Sequence, residues 1–267
     1  MNANQKTRVM IATPTYTGEL VADYVRSLLA AQLYCAFHKV ELELNIADRY
    51  SLIQFARNRL TADFLADESY THILWIDADL GFDPTAIMRL LTHDKDVIGG
   101  AYPVKSFPPW FPIEPVGEPD PKTGLQLVST APTGFLLCSR RAMQAAVETV
   151  PVYTHYHAGQ EIECPHLFDL LLVDSRSKPG KKDLIGEDVV LCRRLAELGF
   201  EIWIEPDISF KHVGQNWWAA NLKQTNDSRK AETPQQQELR AAVTQLMGYN
   251  KGPDLPPGTL DPEEAAA

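Results

Sequence analysis

The chain has 267 residues, a formal net charge of −10, 45% hydrophobic residues and 22% charged residues. This length and apolar content suffice for one large domain with elaborations, and the acidic balance argues against a broad, charge-driven grip on nucleic acid, although a local basic groove is compatible with it. No apolar run approaches the ~18 residues of a membrane span, and the N-terminal residues MNANQKTR lead into a strand rather than a signal peptide, so we expect a cytoplasmic protein without a membrane partner.

Strand and helix patterns alternate along the chain, which predicts an α/β fold with a mainly parallel central sheet flanked by helices. Helical spacing of apolar residues predicts helices over 19–39, 52–67, 85–91, 140–150 and 186–199. Extended patterns predict strands over 8–15, 40–47, 73–82, 96–103, 125–139 and 200–214.

Three stretches lack regular patterns. Residues 103–121 contain seven prolines and predict an irregular excursion, and residues 151–186 are the least regular part of the chain. After residue 250 the sequence is Pro-rich and acidic, which predicts a disordered tail over 250–267 that follows a helical extension over 231–249 and a single domain over 1–230.

Asp77 and Asp79 end an apolar run, ILWIDADLGF, that reads as a buried strand. Residues i and i+2 of an extended segment point to the same side, so we expect both carboxylates to face one ligand. Mg²⁺ or Mn²⁺ prefers such oxygen ligands and completes its shell with water and substrate phosphates. The pair therefore indicates a phosphorylated or nucleotide-linked substrate, with a solvated acidic turn as the alternative.

A second group of candidate residues follows: Glu187 and Asp188 begin the helix over 186–199, and His212 lies in the strand-like segment downstream. Acidic residues in a first helical turn complement the helix dipole without any catalytic role, so each feature alone has an ordinary explanation. Together with the earlier Asp-x-Asp, they match an arrangement in which a metal and a carboxylate base share one site.

The chain resembles the GT-A family of nucleotide-sugar glycosyltransferases over residues 8–214, in particular the family 2-like enzymes of bacteria and phages. The motifs that carry the resemblance are ATPTYTG, SLIQFARN, HILWIDADLGF, TGFLLCSRRAM and GEDVVLCRRLAELGFEIWIEPDISFKHVG. It implies a GT-A (Rossmann-like) fold with irregular acceptor-side loops, and transfer of a sugar from a nucleoside-diphosphate sugar, expected to be UDP-linked, with Mn²⁺ or Mg²⁺ as cofactor.

The resemblance also implies residue roles. Asp188 would be the catalytic base, with Glu187 orienting it or contacting the acceptor. Asp79 and His212 would ligate the metal, with Asp77 on the metal or the ribose. The nucleotide-sugar would be bound by Thr13, Pro14, Thr15, Tyr16, Arg57, Asn58 and Asp77. Asp48 follows the second strand, at a position where such enzymes often bind the nucleobase, but the surrounding sequence NIADRYS departs from the family pattern. Lys105 is a candidate to pair with the diphosphate, or a solvated loop lysine.

One indication of the acceptor is a compact basic run, Lys178, Lys181 and Lys182, just before the Gly-Glu-Asp motif. The phage enzymes that the chain resembles include ones that glycosylate hydroxymethylated pyrimidines in DNA, so DNA is one predicted acceptor, and a polysaccharide or protein is the alternative. For a phage-encoded chain the location would be the host cytoplasm. The sequence leaves the oligomeric state open.

Other interpretations of the sequence stay open. His155, His157, Cys164 and His166 form a cluster of potential zinc ligands; the alternative is that they lie in a loop over the acceptor site. A sugar-phosphate nucleotidyltransferase would need a Gly-rich basic N-terminal loop, which ATPTYTG lacks. A haloacid-type phosphatase usually carries its Asp-x-Asp after the first strand of the domain, whereas here the pair follows the third predicted strand. A non-catalytic nucleotide-sugar-binding module would not need Asp188. The four cysteines have no Cys-x-x-Cys spacing and are typical of reduced core residues.

Overall fold

The computed structural model describes residues 6–106, 108–175, 177–214, 217–238 and 241. In chain order the strands in this part of the chain are β1 (Arg8–Pro14), β2 (Glu41–Ala47), β3 (His72–Ile76), β4 (Leu80–Phe82), β5 (Val97–Gly100), β6 (Glu114–Pro115), β7 (Gln126–Thr130), β8 (Phe135–Ser139), β9 (Val152–His157), β10 (Gln160–Pro165), β11 (Leu171–Asp174), β12 (Lys182–Ile185), β13 (Ile202–Glu205), β14 (Ser209–Val213) and β15 (Trp217–Asn221). The helices are α1 (Ala22–Phe37), α2 (Ile53–Ala66), α3 (Ala86–Thr92), α4 (Arg140–Val147), α5 (Glu187–Glu197) and α6 (Leu222–Lys230).

The central sheet has eight strands in the order β2-β1-β3-β8-β5-β13-β7-β6. The pairs β1–β2, β1–β3 and β5–β13 are parallel, whereas β8 and β7 run antiparallel to both of their neighbours. The fold is therefore α/β, as predicted, but the sheet is mixed. Strands β3 and β5 are buried along their whole length, which explains why their sequences are continuous apolar runs without alternation.

Helices cover both faces of this sheet. Because successive strand residues point to opposite faces, Met10 and Ala12 of β1 pack into the core under α2, α4 and α5, while Val9 and Ile11 pack into the core under α1 and α3. Strand β2 forms one edge of the sheet.

A smaller sheet brings the end of the chain back to the middle of the fold. Strand β14 pairs with β15 on one side and with β4 on the other, with His212 opposite Leu80. The backbone N–H of Val213 donates to the carbonyl of Asp79 at 2.9 Å. This pairing places the late histidine beside the Asp-x-Asp segment.

The predicted helices are confirmed within a few residues of their predicted ends, and so are the first strands. Four predictions were wrong. Residues 73–82 form β3 and β4, and residues 200–214 form β13 and β14, with the second strand of each pair in the smaller sheet. Residues 125–139 form two strands, β7 and β8, because a turn over 131–134 sends them to separate positions in the sheet. Residues 151–186, expected to be irregular, contain the antiparallel hairpins β9–β10 and β11–β12.

The C-terminal predictions are only partly within the described residues. Residues 234–238 are helical, and residues 250–267 lie outside the part of the chain that the structure describes. The four cysteines are free and buried. In the described ranges, none of the helices combines the length and apolar character that crossing a membrane requires.

Candidate active site

The Asp-x-Asp segment forms a turn between β3 and β4. The Asp77 N–H donates to the carbonyl of Gly134 at 3.0 Å, and the Leu80 N–H donates back to the carbonyl of Asp77 at 3.2 Å. Because the backbone turns here instead of continuing as a strand, the two carboxylates contact different partners. The expected extended i, i+2 geometry is therefore absent, and a shared ligand for Asp77 and Asp79 stays a prediction.

Asp79 lies between two potential cations. Its Oδ2 is 2.6 Å from the Lys105 Nζ and 3.4 Å from the His212 Nε2. Burial raises the pKa of the Asp79 carboxyl, but hydrogen bonds and charge from His212 and Lys105 outweigh burial and lower the pKa below its ordinary value. Asp79 is thus held as a carboxylate.

His212 is oriented by the backbone. Its Nδ1 is 2.8 Å from the carbonyl oxygen of Pro103, and since a carbonyl can only accept, Nδ1 carries the proton and donates. This bond fixes the orientation of the ring, so that Nε2 points toward Asp79 and lies 3.4 Å from its Oδ2. A backbone acceptor behind one ring nitrogen is the usual support of a metal-ligating histidine.

Arg57, on α2, joins three carboxylates. Its Nη2 donates to Asp77 Oδ1 at 3.2 Å, its Nη1 lies 3.6 Å from Asp188 Oδ1, and its Nε lies 4.0 Å from Glu187 Oε1. The side chain is only 2% exposed, and Nε and Nη1 have no hydrogen-bond partner among the described residues. The guanidinium therefore acts on Asp188 and Glu187 through charge.

The pKa values reflect this crowding of charge. Burial raises the pKa of Glu187, and the neighbouring Asp188 raises it further against the opposing charge of Arg57. Burial likewise raises the pKa of Asp77, although Arg57 opposes the rise. Burial would lower the pKa of Arg57, but Asp188, Asp77 and Glu187 outweigh it and raise that pKa. One buried cation thus balances a site rich in carboxylates.

Asp188 is positioned from the opposite side by Thr133, whose hydroxyl donates to Asp188 Oδ1. Thr133 is completely buried in the turn between β7 and β8. Next to it, a Cβ on Gly134 would lie 2.2 Å from the Tyr102 hydroxyl oxygen and 2.4 Å from Asp77 Oδ2. Only glycine fits there, because any side chain would displace Tyr102 and Asp77.

A pocket of ≈ 200 Å³ opens beside the end of β1. Its lining residues are Pro14, Thr15, Tyr16, Tyr50, Ser51, Ile53 and Ala56. Three of the seven were predicted to bind the nucleotide. Ala56 lines the pocket and precedes Arg57, so one turn of α2 connects the pocket to the carboxylates.

The other predicted nucleotide ligands have different surroundings. The buried Thr13 hydroxyl lies 2.6 Å from the Tyr24 hydroxyl, and the buried Asn58 amide exchanges hydrogen bonds of 3.0 and 2.7 Å with the backbone of Phe168. Direct contact with a nucleotide would require these bonds to break. Asp48 is exposed beside the turn that contains Gly18, and Arg57 faces carboxylates rather than the pocket surface. Their binding roles stay predictions.

Comparisons with known proteins give no family for this chain. No protein-family model matches the sequence, and no curated protein matches it. Among solved structures, the crystal structure of A197 from STIV aligns with a TM-score of 0.46 and 14% identity over 78% of this chain and 86% of that chain. A putative glucose-1-phosphate thymidylyltransferase from Bacillus anthracis, in complex with a sucrose, aligns with a TM-score of 0.33 and 13% identity over 54% of this chain and 76% of that chain. With TM-scores below 0.5, these likenesses establish neither the fold nor the function.

Asp79 and His212 form a donor set that fits a divalent cation. A carboxylate oxygen, which suits Mg²⁺ and Mn²⁺, and an imidazole nitrogen, which suits transition metals, lie 3.4 Å apart there. Among the described residues, no group of three or more His, Cys, Asp or Glu side chains is arranged to hold a metal. A cation bound at Asp79 and His212 would therefore take its remaining ligands from water and substrate, as Mg²⁺ and Mn²⁺ commonly do at phosphate sites.

The histidine cluster forms an aromatic layer on the hairpin β9–β10. The His157 ring stacks on Tyr50 with centroids 4.0 Å apart, and the His155 ring lies 5.4 Å from the same tyrosine. Burial raises the pKa of the Cys164 thiol to about 11, which disfavours the thiolate that zinc requires. These contacts favour the reading of a loop beside the pocket over a zinc site.

Sequence reasoning assigned no role to Tyr102, Thr133 or Gly134. Thr133 and Gly134 begin the motif TGFLL, which carried the resemblance, and Tyr102 follows the Gly-Gly pair at the end of β5. The sequence signal that could have identified Thr133 and Gly134 is a polar residue followed by glycine between two apolar runs, which is typical of a turn.

Proposed function

We propose that the protein is a metal-dependent glycosyltransferase of the GT-A type that moves a sugar from a nucleoside-diphosphate sugar, UDP-linked in this proposal, to an acceptor hydroxyl. The observation that carries the proposal is the shared ion pairing of Arg57 with Asp77 after β3 and Asp188 on α5. Through Arg57, Asp77, which is proposed to contact the sugar donor, and Asp188, the proposed base, belong to one site.

Asp188 is the proposed general base. In an inverting transfer, the acceptor oxygen forms a bond to the anomeric carbon while the bond from that carbon to the diphosphate breaks. The acceptor hydroxyl proton passes to the Asp188 carboxylate, which Thr133 and Arg57 hold in place. Glu187, with its raised pKa, orients the acceptor beside it.

The leaving diphosphate accumulates negative charge, so the site needs cations where it departs. Lys105 is in reach, because its Nζ already lies 2.6 Å from Asp79. A divalent cation bound at Asp79 and His212 would supply Lewis-acid neutralisation of that diphosphate. The pocket lined by Pro14, Thr15 and Tyr16 is the proposed binding site of the nucleoside.

The proposed function is tested by incubating the chain with a panel of nucleotide sugars, with Mn²⁺ or with EDTA, and measuring free nucleoside diphosphate. Release from one donor in Mn²⁺ alone supports the proposal and names the donor. Asp183→Asn is the matched control for Asp188→Asn, because Asp183 is an exposed carboxylate on the adjacent strand β12. Equal loss in both variants would contradict a specific role for Asp188.

For the acceptor we propose a hydroxymethylated pyrimidine in DNA, bound partly by the hairpin β11–β12. Lys178 and Lys181 lie in its turn and Lys182 begins β12, where it pairs with Asp174 at 2.7 Å. Replacing the three lysines with alanine should flatten the slope of log affinity against log salt by up to about three units. An unchanged slope would remove the hairpin from DNA binding.

Mass spectrometry of nucleosides tests the acceptor itself, after unmodified and hydroxymethylated DNA are treated with donor and Mn²⁺. Hexose or pentose on the hydroxymethylated base alone supports the proposal. Transfer to a polysaccharide or protein instead would overturn the DNA acceptor and leave glycosyl transfer in place.

A further inference from the structure

One surface of the chain, formed by the outer face of α1 and the edge strand β2, has the composition of an interface. Helix α1 contains only two charged residues, Asp23 and Arg26, and both lie in its first two turns. A helix that faces solvent normally carries charged residues on its outer face. Here the outer face instead carries Val25, Leu29, Leu33 and Phe37, spaced four residues apart and exposed by 37%, 58%, 76% and 83%.

The adjacent edge strand continues this surface. Leu44 and Ile46 of β2 lie on the α1 side of the sheet, because they pair in register with Ile11 and Thr13 of β1, and Ile11 packs under α1. Both side chains are about 40% exposed, at 40% and 38%. We name the six side chains Val25, Leu29, Leu33, Phe37, Leu44 and Ile46 the α1–β2 face.

In the part of the chain that the structure describes, no strand or loop pairs with the outer edge of β2. Strand β2 runs regularly over seven residues, pairs with β1 without interruption and contains no proline. Such an edge presents unpaired backbone N–H and C=O groups to another strand. The acidic side chains on its other face are already neutralised, since Glu41 pairs with Lys6 and Glu43 pairs with Arg8.

We propose that a second copy of this chain covers the α1–β2 face, in a twofold dimer whose two β2 strands pair antiparallel. Centring the pairing on Leu44 sets Leu42 opposite Ile46 and Glu43 opposite Asn45, so the register brings no like charges face to face. The two eight-stranded sheets then form one continuous sheet, with the two α1 helices side by side above it.

The area of the face agrees with this partner. The six exposures together equal about three fully exposed large apolar side chains, on the order of 500 Å². Stable interfaces bury about 800 Å² per partner, and the paired β2 backbones and the flanking α1 side chains supply the difference. A twofold contact needs only one such self-complementary face, which the chain has.

Sedimentation equilibrium of the full chain tests the proposal. We expect a dimer of twice 29.9 kDa. The variant Leu29→Glu/Leu33→Glu should raise the dimer dissociation constant by about 10²-fold or more, because each substitution enters a twofold interface twice. The matched control is Leu172→Glu/Leu184→Glu, since these leucines are 69% and 64% exposed on a different surface, the hairpin β11–β12.

Crosslinking tests the register. Directly opposed residues of antiparallel strands are close enough for a disulfide, so Leu44→Cys should form a covalent dimer on mild oxidation while Leu172→Cys should not. The four native cysteines are buried and do not interfere. Unchanged circular dichroism and unfolding midpoints would show that the glutamate variants remain folded.

Three outcomes would overturn the proposal. A full chain that stays monomeric up to ~100 μM, well above a micromolar dissociation constant, leaves the face uncovered by a second copy. A dimer that survives Leu29→Glu/Leu33→Glu in the folded state does not use α1. A dimer that only the hairpin variant dissociates has its interface at β11–β12.

Discussion

Arg57→Met should destabilise the protein strongly at neutral pH. Arg57 is 2% exposed and lies within 3.2, 3.6 and 4.0 Å of oxygens of Asp77, Asp188 and Glu187. Removing one partner of a buried ion pair leaves uncompensated buried charge and costs about 3–5 kcal/mol. For a chain of this size the loss corresponds to a midpoint about 6–20 °C lower in thermal unfolding.

The loss should depend on pH in a defined direction. Burial and the neighbouring Asp188 raise the pKa of Glu187 above its ordinary value of 4.5, and Arg57 opposes this rise. A carboxyl with a raised pKa in the folded state binds its proton more tightly there, so stability falls as pH rises from the ordinary value to the folded value. Without Arg57 the folded pKa rises further, so the deficit of Arg57→Met should be largest at pH 7 and shrink toward pH 4.5.

Urea and thermal unfolding at pH 7 and pH 5 measure both effects. Arg57→Lys keeps the charge and should lose less stability than Arg57→Met. Arg59→Met is the matched control on the same helix, because Arg59 makes a partly exposed i,i+4 pair with Asp63 at 2.8 Å that contributes about 0.5 kcal/mol. If Arg57→Met is as stable as the wild type at pH 7, the guanidinium does not balance the three carboxylates.

Two further predictions concern the same site. Asp79→Ala and His212→Ala should each abolish Mn²⁺-dependent donor turnover without changing the unfolding midpoint. Each should also weaken Mn²⁺ binding, measured by electron paramagnetic resonance. Normal Mn²⁺ binding in either variant would exclude that residue as a ligand. Gly134→Ala should cost about 1–3 kcal/mol and most of the turnover, because its Cβ would overlap Tyr102 and Asp77, which the structure places 2.2 and 2.4 Å away. Unchanged stability and turnover would show that the turn relaxes easily.

The regular elements of the fold were predictable because each depends on local spacing. The buried strands β1 and β3 and the helices α1, α2 and α5 follow from apolar periodicity and their end signals. The hairpins β9–β10 and β11–β12 were missed because their strands are largely exposed and β9, β10 and β12 lack a continuous apolar run; the run LLLV over 170–173 is typical of an extended segment but was not assigned.

The site was predictable as a set of residues but not as a geometry. The carboxylates and His212 were named from the sequence, and β14 pairing with β4 brings His212 to Asp79. The position of Arg57 among three carboxylates depends on contacts between α2, the turn after β3 and α5, which no local pattern encodes. The turn at Asp77 likewise depends on the tertiary hydrogen bond from its N–H to the carbonyl of Gly134.

The most direct test of the account compares wild type and Asp188→Asn at saturating donor and Mn²⁺, by the rate of nucleoside-diphosphate release with acceptor present and by calorimetry of donor binding. We predict that the variant binds the donor like the wild type and loses transfer by a factor of about 10² or more, which is the scale of a general base. A wild type that binds nucleotide sugars but turns none of them over would contradict the account and identify a binding module instead.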